Sequence, residues 1–389
     1  MEYRQYRNTD LRTSLLGMGC MRLPRIPGQG DAVDYAKSEE IIDYAYAHGV
    51  NYFDTAYVYH GGESERVIGK ALSKYPRESY NLVTKLPGWL CSSKEDVLRI
   101  FHEQLDRCGV EYFDFYLCHN INEGSVASYT NDYLIPTLEQ LKAEGKIRRL
   151  GFSSHSKPEL LEKFASLRDW DFAQIQLNYL DWSYQNAKRQ YEILTEKGIP
   201  VMVMEPVRGG RLASLCPEAD ELFKEYAPDR SIASWAIRFA ATRPNVQVVL
   251  SGMSTMEQVI DNVATISAFT PVSDAEQDII DKAVDILKSK TLIPCTGCRY
   301  CCGGCPMGLD IPSLLSAYNS YQLSRNKMDL IRTEELPDEQ QPKSCIGCGQ
   351  CTASCPQNLD VPGYMSELAD LLKDMPPAPA GRPPKAKKA

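Results

Sequence analysis

The sequence predicts an α/β chain with three parts: a (β/α)8 barrel over residues 1–290, a small Cys-rich helical domain over 291–374, and a tail over 375–389. Three observations predict this. Short apolar runs alternate eight times with amphipathic helical runs between residues 13 and 290. Nine of the 14 cysteines crowd between Cys295 and Cys355. The last residues, MPPAPAGRPPKAKKA, have almost nothing to bury and read as a disordered, basic, Pro-rich end.

The strand runs are Leu15–Gly17, Val50–Asp54, Leu82–Lys85, Phe113–His119, Ile147–Ser153, Phe172–Gln176, Val201–Met204 and Val246–Ser251. Most are apolar on both faces, as parallel strands covered by helices are. The helical runs between them carry their own punctuation. The run from Ser38 stops at His48-Gly49, and the run from Lys94 sets Val97, Leu98, Phe101 and Leu105 on one face and stops at Gly109. Ser254-Thr-Met-Glu257 and Ser273-Asp-Ala-Glu276 read as capping boxes, in which a hydroxyl and a carboxylate satisfy free N–H groups at a helix start. A doubly wound open sheet would more often carry a Gly-rich dinucleotide loop after its first strand, and the chain has no G-x-G-x-x-G.

Apolar residues make up 43 % of the 389 and charged residues 24 %, an ordinary globular balance that excludes collagen-like and wholly disordered chains. The net charge of −8 argues against a general nucleic-acid binder, which needs a basic face to displace counterions. The N-terminus, MEYRQYRNTD, has no apolar signal region, and no long apolar run suggests a membrane span. The expectation is a cytoplasmic protein with no membrane or nucleic-acid partner. Thiols stay reduced there, so clustered cysteines point to metal rather than to disulfides.

The clustered cysteines form two runs, Cys295-x2-Cys298-x2-Cys301-x3-Cys305-Pro306 and Cys345-x2-Cys348-x2-Cys351-x3-Cys355-Pro356. This spacing is that of the bacterial iron–sulfur run, in which three close thiolates take three corners of a cubane and the fourth cysteine commonly serves the other cluster. The ligand sets predicted are Cys295, Cys298, Cys301 and Cys355 for one cluster, and Cys345, Cys348, Cys351 and Cys305 for the other. Tetrahedral zinc is the alternative, but a third closely spaced cysteine in both runs has no place in such a site. Cys302 either replaces Cys301 or is a small buried residue. The two runs resemble a dicluster [4Fe-4S] ferredoxin domain, and the helical spacer Ser313–Leu323 suggests its α-helical type.

Active sites of eight-stranded α/β barrels lie at the C-terminal ends of the strands. Those ends hold Asp54, Lys85, His119, Ser153, Gln176 and Met204. The stretch Asn51-Tyr-Phe-Asp54-Thr-Ala-Tyr-Val-Tyr59, with Lys85 in Leu-Val-Thr-Lys and His119 in Phe-Tyr-Leu-Cys-His, resembles the aldo/keto reductase signature, a TIM-barrel family. The resemblance runs over residues 13–265. It implies a catalytic set of Asp54, Tyr59, Lys85 and His119. Reducing a carbonyl requires a proton for the developing alkoxide, and a cation beside a tyrosine lowers its pKa enough for it to exchange that proton. In this reading Tyr59 is the general acid/base, Lys85 supplies the charge, Asp54 holds Lys85, and His119 orients the substrate oxygen or completes the proton relay. Tyr57 is the rival phenol. His48 and His102 read as packing residues; His60 and His155 are placed to line the pocket.

The resemblance also implies cofactor contacts. Ser153 and Ser154, in Gly145-Lys-Ile-Arg-Arg-Leu-Gly-Phe-Ser-Ser, match the segment that holds the nicotinamide carboxamide, with Ser154 where Asn is usual. Gln176 matches the other carboxamide ligand; Gln174, two residues away on the same strand face, is the alternative. Met204 stands where the family often stacks an aromatic ring. Ser251 and Ser254 open a helix that offers free N–H groups to a phosphate. Gln258, Asp261 and Asn262 match adenosine-contacting places. Cys20 and Met21, after the first strand, complete the cofactor-contact candidates. No basic residue stands where many relatives bind a 2′-phosphate, so NADP and NAD are both open.

The function expected is an NAD(P)-dependent oxidoreductase of the aldo/keto reductase type. It would act on a small carbonyl or alcohol and be fused to a two-cluster [4Fe-4S] electron-transfer module, with a redox protein or a flavin as possible partner. The alternative is an iron–sulfur electron-transfer protein whose barrel is a docking scaffold.

Overall fold

The computed structural model describes residues 1–27, 29, 32–289, 292–324, 330, 333 and 336–373. The residues expected as a tail, 375–389, lie outside these. The chain divides into two compact units, Met1–Ile286 and Leu287–Ala389.

The first unit opens with a hairpin that the sequence did not announce, β1 (Tyr3–Gln5) paired antiparallel with β2 (Arg12–Ser14). Strands of three residues carry too little alternation to read. The hairpin delivers Tyr6 to the barrel floor, where its ring packs edge-on against Phe115 and its hydroxyl donates to the Asp171 carbonyl at 2.5 Å.

Eight parallel strands then close the barrel: β3 (Leu16–Gly19), β4 (Tyr52–Asp54), β5 (Asn81–Leu86), β6 (Phe115–Ile121), β7 (Leu150–Ser154), β8 (Phe172–Gln176), β9 (Val201–Met204) and β10 (Val246–Ser251). They pair in sequence order, and β10 returns to β3. All eight expected strands are present. Phe113 and Ile147, which the sequence assigned to strands, form an isolated parallel bridge just before β6 and β7. Tyr52, Val83, Phe115, Leu117, Phe172, Met202, Val248 and Leu250 fill the lower barrel interior.

The helices of this unit are α1 (Tyr35–Ala47), α2 (Glu63–Leu72), α3 (Lys94–Cys108), α4 (Leu134–Ala143), α5 (Pro158–Ala165), α6 (Asp181–Tyr184), α7 (Ala187–Glu196), α8 (Pro217–Tyr226), α9 (Ile232–Ala241), α10 (Met256–Ser267) and α11 (Asp274–Ser289). Their ends follow local chemistry. The Ser93 side chain accepts from the Asp96 N–H at the start of α3, and Gly109 ends it in the left-handed region at φ 64°. The box at Ser273 and Glu276 forms reciprocally: Ser273 N–H donates to the Glu276 carboxylate at 2.8 Å and Glu276 N–H to the Ser273 hydroxyl at 3.3 Å. The other box is shifted by one residue. Thr255, not Ser254, caps α10, accepting from the Gln258 N–H, and Gln258 reaches back to the Ser254 N–H at 2.7 Å.

In the second unit, α12 (Ile311–Ser324) covers the expected spacer, α13 (Gln350–Ala353) lies within the second cysteine run and carries Cys351, and α14 (Val361–Lys373) follows that run. The two runs fold as copies offset by 50 residues. Gly297 and Gly347, Arg299 and Gly349, and Gly308 and Asn358 all have positive φ, between 51° and 73°. Each pair turns its loop back toward the cysteines. Leu309 and Leu359, and Ile311 and Val361, are matching buried pairs in the core of this unit. Among the described residues no helix is long and apolar enough to cross a membrane.

Candidate functional site

β4 ends on Asp54 and β5 carries Lys85 one residue before its end, both pointing into the barrel mouth and buried. The Lys85 ammonium donates to Asp54 Oδ1 at 2.6 Å and to the Thr55 carbonyl at 2.7 Å. Burial pulls Lys85 below and Asp54 above their usual ranges, and each partner's charge works against that drift. Asp54 Oδ2 has no hydrogen-bond partner among the described residues.

After β4 the chain makes a tight turn at Tyr59–Gly62, with His60, Gly61 and Gly62 all at positive φ. That turn sets the Tyr59 ring over Lys85, with Nζ 4.9 Å from the ring centroid. The His119 ring meets Tyr59 edge-on at 5.8 Å, and Trp89 lies 5.4 Å from His119 on another side. The four residues expected as a set are thus together. Tyr57, the rival, is elsewhere: its hydroxyl donates to Glu103 at 2.7 Å and Arg107 stacks on its ring.

His119 sits just before a break in β6. Asn120 has φ 58°, and the register with β7 shifts between Cys118 and Ile121. Such bulges re-aim side chains beside active sites. Burial, and then the charge of Lys85, hold His119 well below the usual imidazole range, so it is neutral near pH 7. His48 and His102 each bond the carbonyl four residues back on their own helix, as packing residues do.

Three supports of this set were not singled out from the sequence. Gln104 on α3 donates to the Lys85 carbonyl at 3.0 Å and to Glu65 at 2.8 Å from outside the barrel wall. Tyr129, fully buried, donates to the His119 carbonyl at 2.6 Å, and its oxygen accepts from the Gly88 N–H at 2.8 Å. A Cβ at Gly88 would stand 2.5 Å from the Tyr129 ring, so only glycine fits there. The third is a buried ion pair, Asp181 with Arg208 at 3.0 Å, which also binds Gln176 and Asn178. Pairs distant in sequence leave no periodic trace, and this one has none.

The carboxamide candidates separate at this point. Gln176 donates to Asp181 at 2.6 Å and is hydrogen-bonded to His155, which burial lowers to about 4. Gln174 shares the inward face of β8. Its Nε2 has only a 3.7 Å contact with the Met204 sulfur, and its buried Oε1 has no hydrogen-bond partner among the described residues. A buried amide oxygen left open beside Met204 fits the amide N–H of a carboxamide ligand. Ser153 accepts from the Asn120 N–H at 2.7 Å, and Ser154 is hydrogen-bonded to Ser156.

At the next strand ends, Ser251 accepts from Asn262 at 3.0 Å, and Ser254 donates to the Arg22 carbonyl at 2.6 Å. Gly252 comes so close that a Cβ there would lie 3.2 Å from the Arg22 side chain. This glycine-lined helix start suits a diphosphate. Asp261 accepts from Ser231, Cys20 is buried, and Met21 is half-buried.

In the second unit two small cavities open. Cys305, Cys345, Cys348 and Cys351 line one; Cys295, Cys298, Cys301 and Cys355 line the other. These are the two expected sets, with the fourth cysteine exchanged between runs. Cys302 lines neither. Among the described residues no group of three or more His, Cys, Asp or Glu is arranged around one metal ion. Thiolates spread around a cavity suit a cubane, whose irons take one cysteine each.

The family model described as "Aldo/keto reductase family" matches residues 15–285, and that described as "4Fe-4S dicluster domain" matches residues 294–359. Among curated relatives, L-galactose dehydrogenase of Arabidopsis thaliana is 27 % identical, over 74 % of this chain and 95 % of that protein. The NADH-specific methylglyoxal reductase of Escherichia coli is 24 % identical, over 72 % and 97 %. Among solved structures, an aldo-keto reductase of Bacillus halodurans in its holo form superposes with a TM-score of 0.61 at 28 % identity, over 73 % of this chain and 96 % of that one.

Proposed function

The chain belongs to the aldo/keto reductase family and carries a 4Fe-4S dicluster domain, and from that premise we propose that it interconverts a carbonyl and an alcohol with a nicotinamide cofactor, Tyr59 being the general acid/base. The observation that carries this reading is the ammonium of Lys85, held by Asp54 and set 4.9 Å from the Tyr59 ring centre.

A dihydronicotinamide held in the barrel mouth would supply the hydride. The protein's residues do the rest. Tyr59 gives its phenolic proton to the carbonyl oxygen as that oxygen gains charge, and takes it back in alcohol oxidation. Lys85 stabilises the phenolate that results. His119, neutral and buried, hydrogen-bonds the substrate oxygen, and Trp89 walls the mouth beside it. We assign Gln174, in preference to Gln176, to the carboxamide, with Ser153 and Ser154 beside it and Met204 against the ring. Ser251, Ser254 and the start of α10 would hold the diphosphate, and Gln258, Asp261 and Asn262 would hold the adenosine. Both NADP and NAD remain compatible with these residues.

Cys295, Cys298, Cys301 and Cys355 hold one [4Fe-4S] cluster, and Cys305, Cys345, Cys348 and Cys351 the other. Support comes from the two cavities and the exchanged fourth cysteines. Such clusters carry electrons singly, so this unit serves one-electron exchange.

The test is Tyr59→Phe, assayed by reduced-nicotinamide oxidation with a panel of aldehydes and ketones. Loss of a general acid predicts a fall of ~10²- to 10⁴-fold in kcat. Unchanged turnover would refute the role.

A further inference from the structure

Resting on the assignment of the eight cysteines to two clusters, we propose that the cluster held by Cys305, Cys345, Cys348 and Cys351 is the port through which a separate one-electron carrier protein exchanges electrons, with Ile346 as its apolar contact. The two cysteine runs are copies in sequence and backbone, yet they differ at the surface. Cys348 is exposed, while its counterpart Cys298 is half-buried. Between the first two cysteines of each run stands one large or branched residue followed by glycine. In the first run it is Thr296, 2 % exposed; in the second it is Ile346, 64 % exposed. Ile346 also lines the cavity of its own cluster site. It is therefore an apolar side chain with one side toward the cluster and the other toward water.

Electron exchange between proteins requires close approach to the cluster, and one-electron carriers dock through small, weak interfaces. A protruding isoleucine beside an exposed cysteine gives such a carrier an apolar foothold at the shortest distance. The first site has no equivalent, because Thr296 is covered. Ile311 and Val361 each line both cavities, so a single layer of side chains separates the two sites. An electron arriving at the outer cluster thus has the inner one as its neighbour. The exchange is balanced: the reduced carrier loses one electron, the oxidised cluster gains one, and no bond or proton moves.

The test uses the full-length holoprotein, purified anaerobically and carrying the iron of two four-iron clusters. Reduction by flavodoxin hydroquinone is followed by stopped flow in the unmodified protein, Ile346→Ser and Thr296→Ala. Loss of a central apolar contact predicts a bimolecular rate about fivefold lower in Ile346→Ser. Thr296→Ala, and dithionite reduction of both variants, should be unchanged. An unaltered flavodoxin rate in Ile346→Ser, or an equal loss in Thr296→Ala, overturns the proposal. A second measurement needs no variant at position 346. A water-soluble iron chelator should strip one cluster first, and Cys348→Ser should change the paramagnetic resonance signal of that cluster. Equal stripping of both, or prior loss of the cluster marked by Cys298→Ser, overturns it equally. Iron content short of two cubanes in the unmodified protein would instead defeat the cluster assignment itself.

Discussion

Replacing Lys85 by methionine separates the two things its ammonium does. The first is electrostatic. A unit charge 4.9 Å from the ring centre, at an effective dielectric of ~20, stabilises a phenolate by about 3 kcal/mol. That corresponds to roughly 10²- to 10³-fold in rate if the phenolate is well developed in the transition state. The second is structural. Asp54 is buried, and among the described residues its Oδ1 accepts from Lys85 while its Oδ2 has no partner, so Lys85→Met strands a carboxylate, at a cost of about 3–5 kcal/mol in stability. The double variant Asp54→Asn, Lys85→Met removes the stranded charge. It should recover most of the stability and none of the activity. The assay is kcat/KM for a reactive aldehyde alongside thermal unfolding of each variant. A folded Lys85→Met protein within tenfold of the unmodified kcat/KM refutes the electrostatic role. Recovery of activity in the double variant would show that the single variant failed only because it was unstable.

Gln174→Leu should weaken nicotinamide binding by about 1–2 kcal/mol, one hydrogen bond, as read by calorimetry. Gln176→Leu should instead lower thermal stability by loosening Asp181 and Arg208, with a smaller change in affinity. Burial pushes Glu276 up, but Arg238, the Ser273 N–H and Arg230 outweigh it and bring the carboxyl down to about 2. Its folded pKa is thus below its unfolded one, and its stabilisation is complete above about pH 4.5 and lost as pH falls through 2. Glu276→Gln should flatten that acid limb of Tm against pH while costing about 3 kcal/mol at neutral pH, because Arg238 is left buried without its partner. Tyr129→Phe keeps the ring on Gly88 but leaves the His119 carbonyl and Gly88 N–H without that hydroxyl. It should lower kcat more than it raises the cofactor Kd, with a stability loss of about 1–3 kcal/mol.

The barrel and the set at its mouth were legible because both are written in local patterns. Short apolar strand runs alternate with amphipathic helical runs, and Asp54, Lys85 and His119 close such strand runs. The strand's period of two explains what stayed ambiguous. Gln174 and Gln176 share one face, and nothing in their spacing tells them apart; Asp181, which takes the amide of Gln176, does. The cap of α10 moved from Ser254 to Thr255 for a similar reason. Adjacent hydroxyl residues offer two starts one residue apart, and Gln258 replaces Glu257 as the reciprocal partner. Tyr129, Gln104 and the pair of Asp181 with Arg208 were silent. Each acts on a backbone or side chain far along the chain, and such pairings become visible only when the barrel closes.

The cysteine runs show the opposite limit. Their repeat is so regular that the sequence presents two equal sites, and three pairs of positive-φ residues at the same 50-residue offset show that the backbone honours the repeat. What breaks the equality is tertiary burial at one variable position. In the first run that position is Thr296, and it is covered. An isoleucine left 64 % exposed forgoes more than half of the burial its side chain could gain, where full burial is worth ~1.5–3 kcal/mol. That forgone stabilisation sits beside an exposed cysteine of a redox site. An apolar contact for a visiting carrier accounts for both features at once, whereas the needs of the fold alone account for neither.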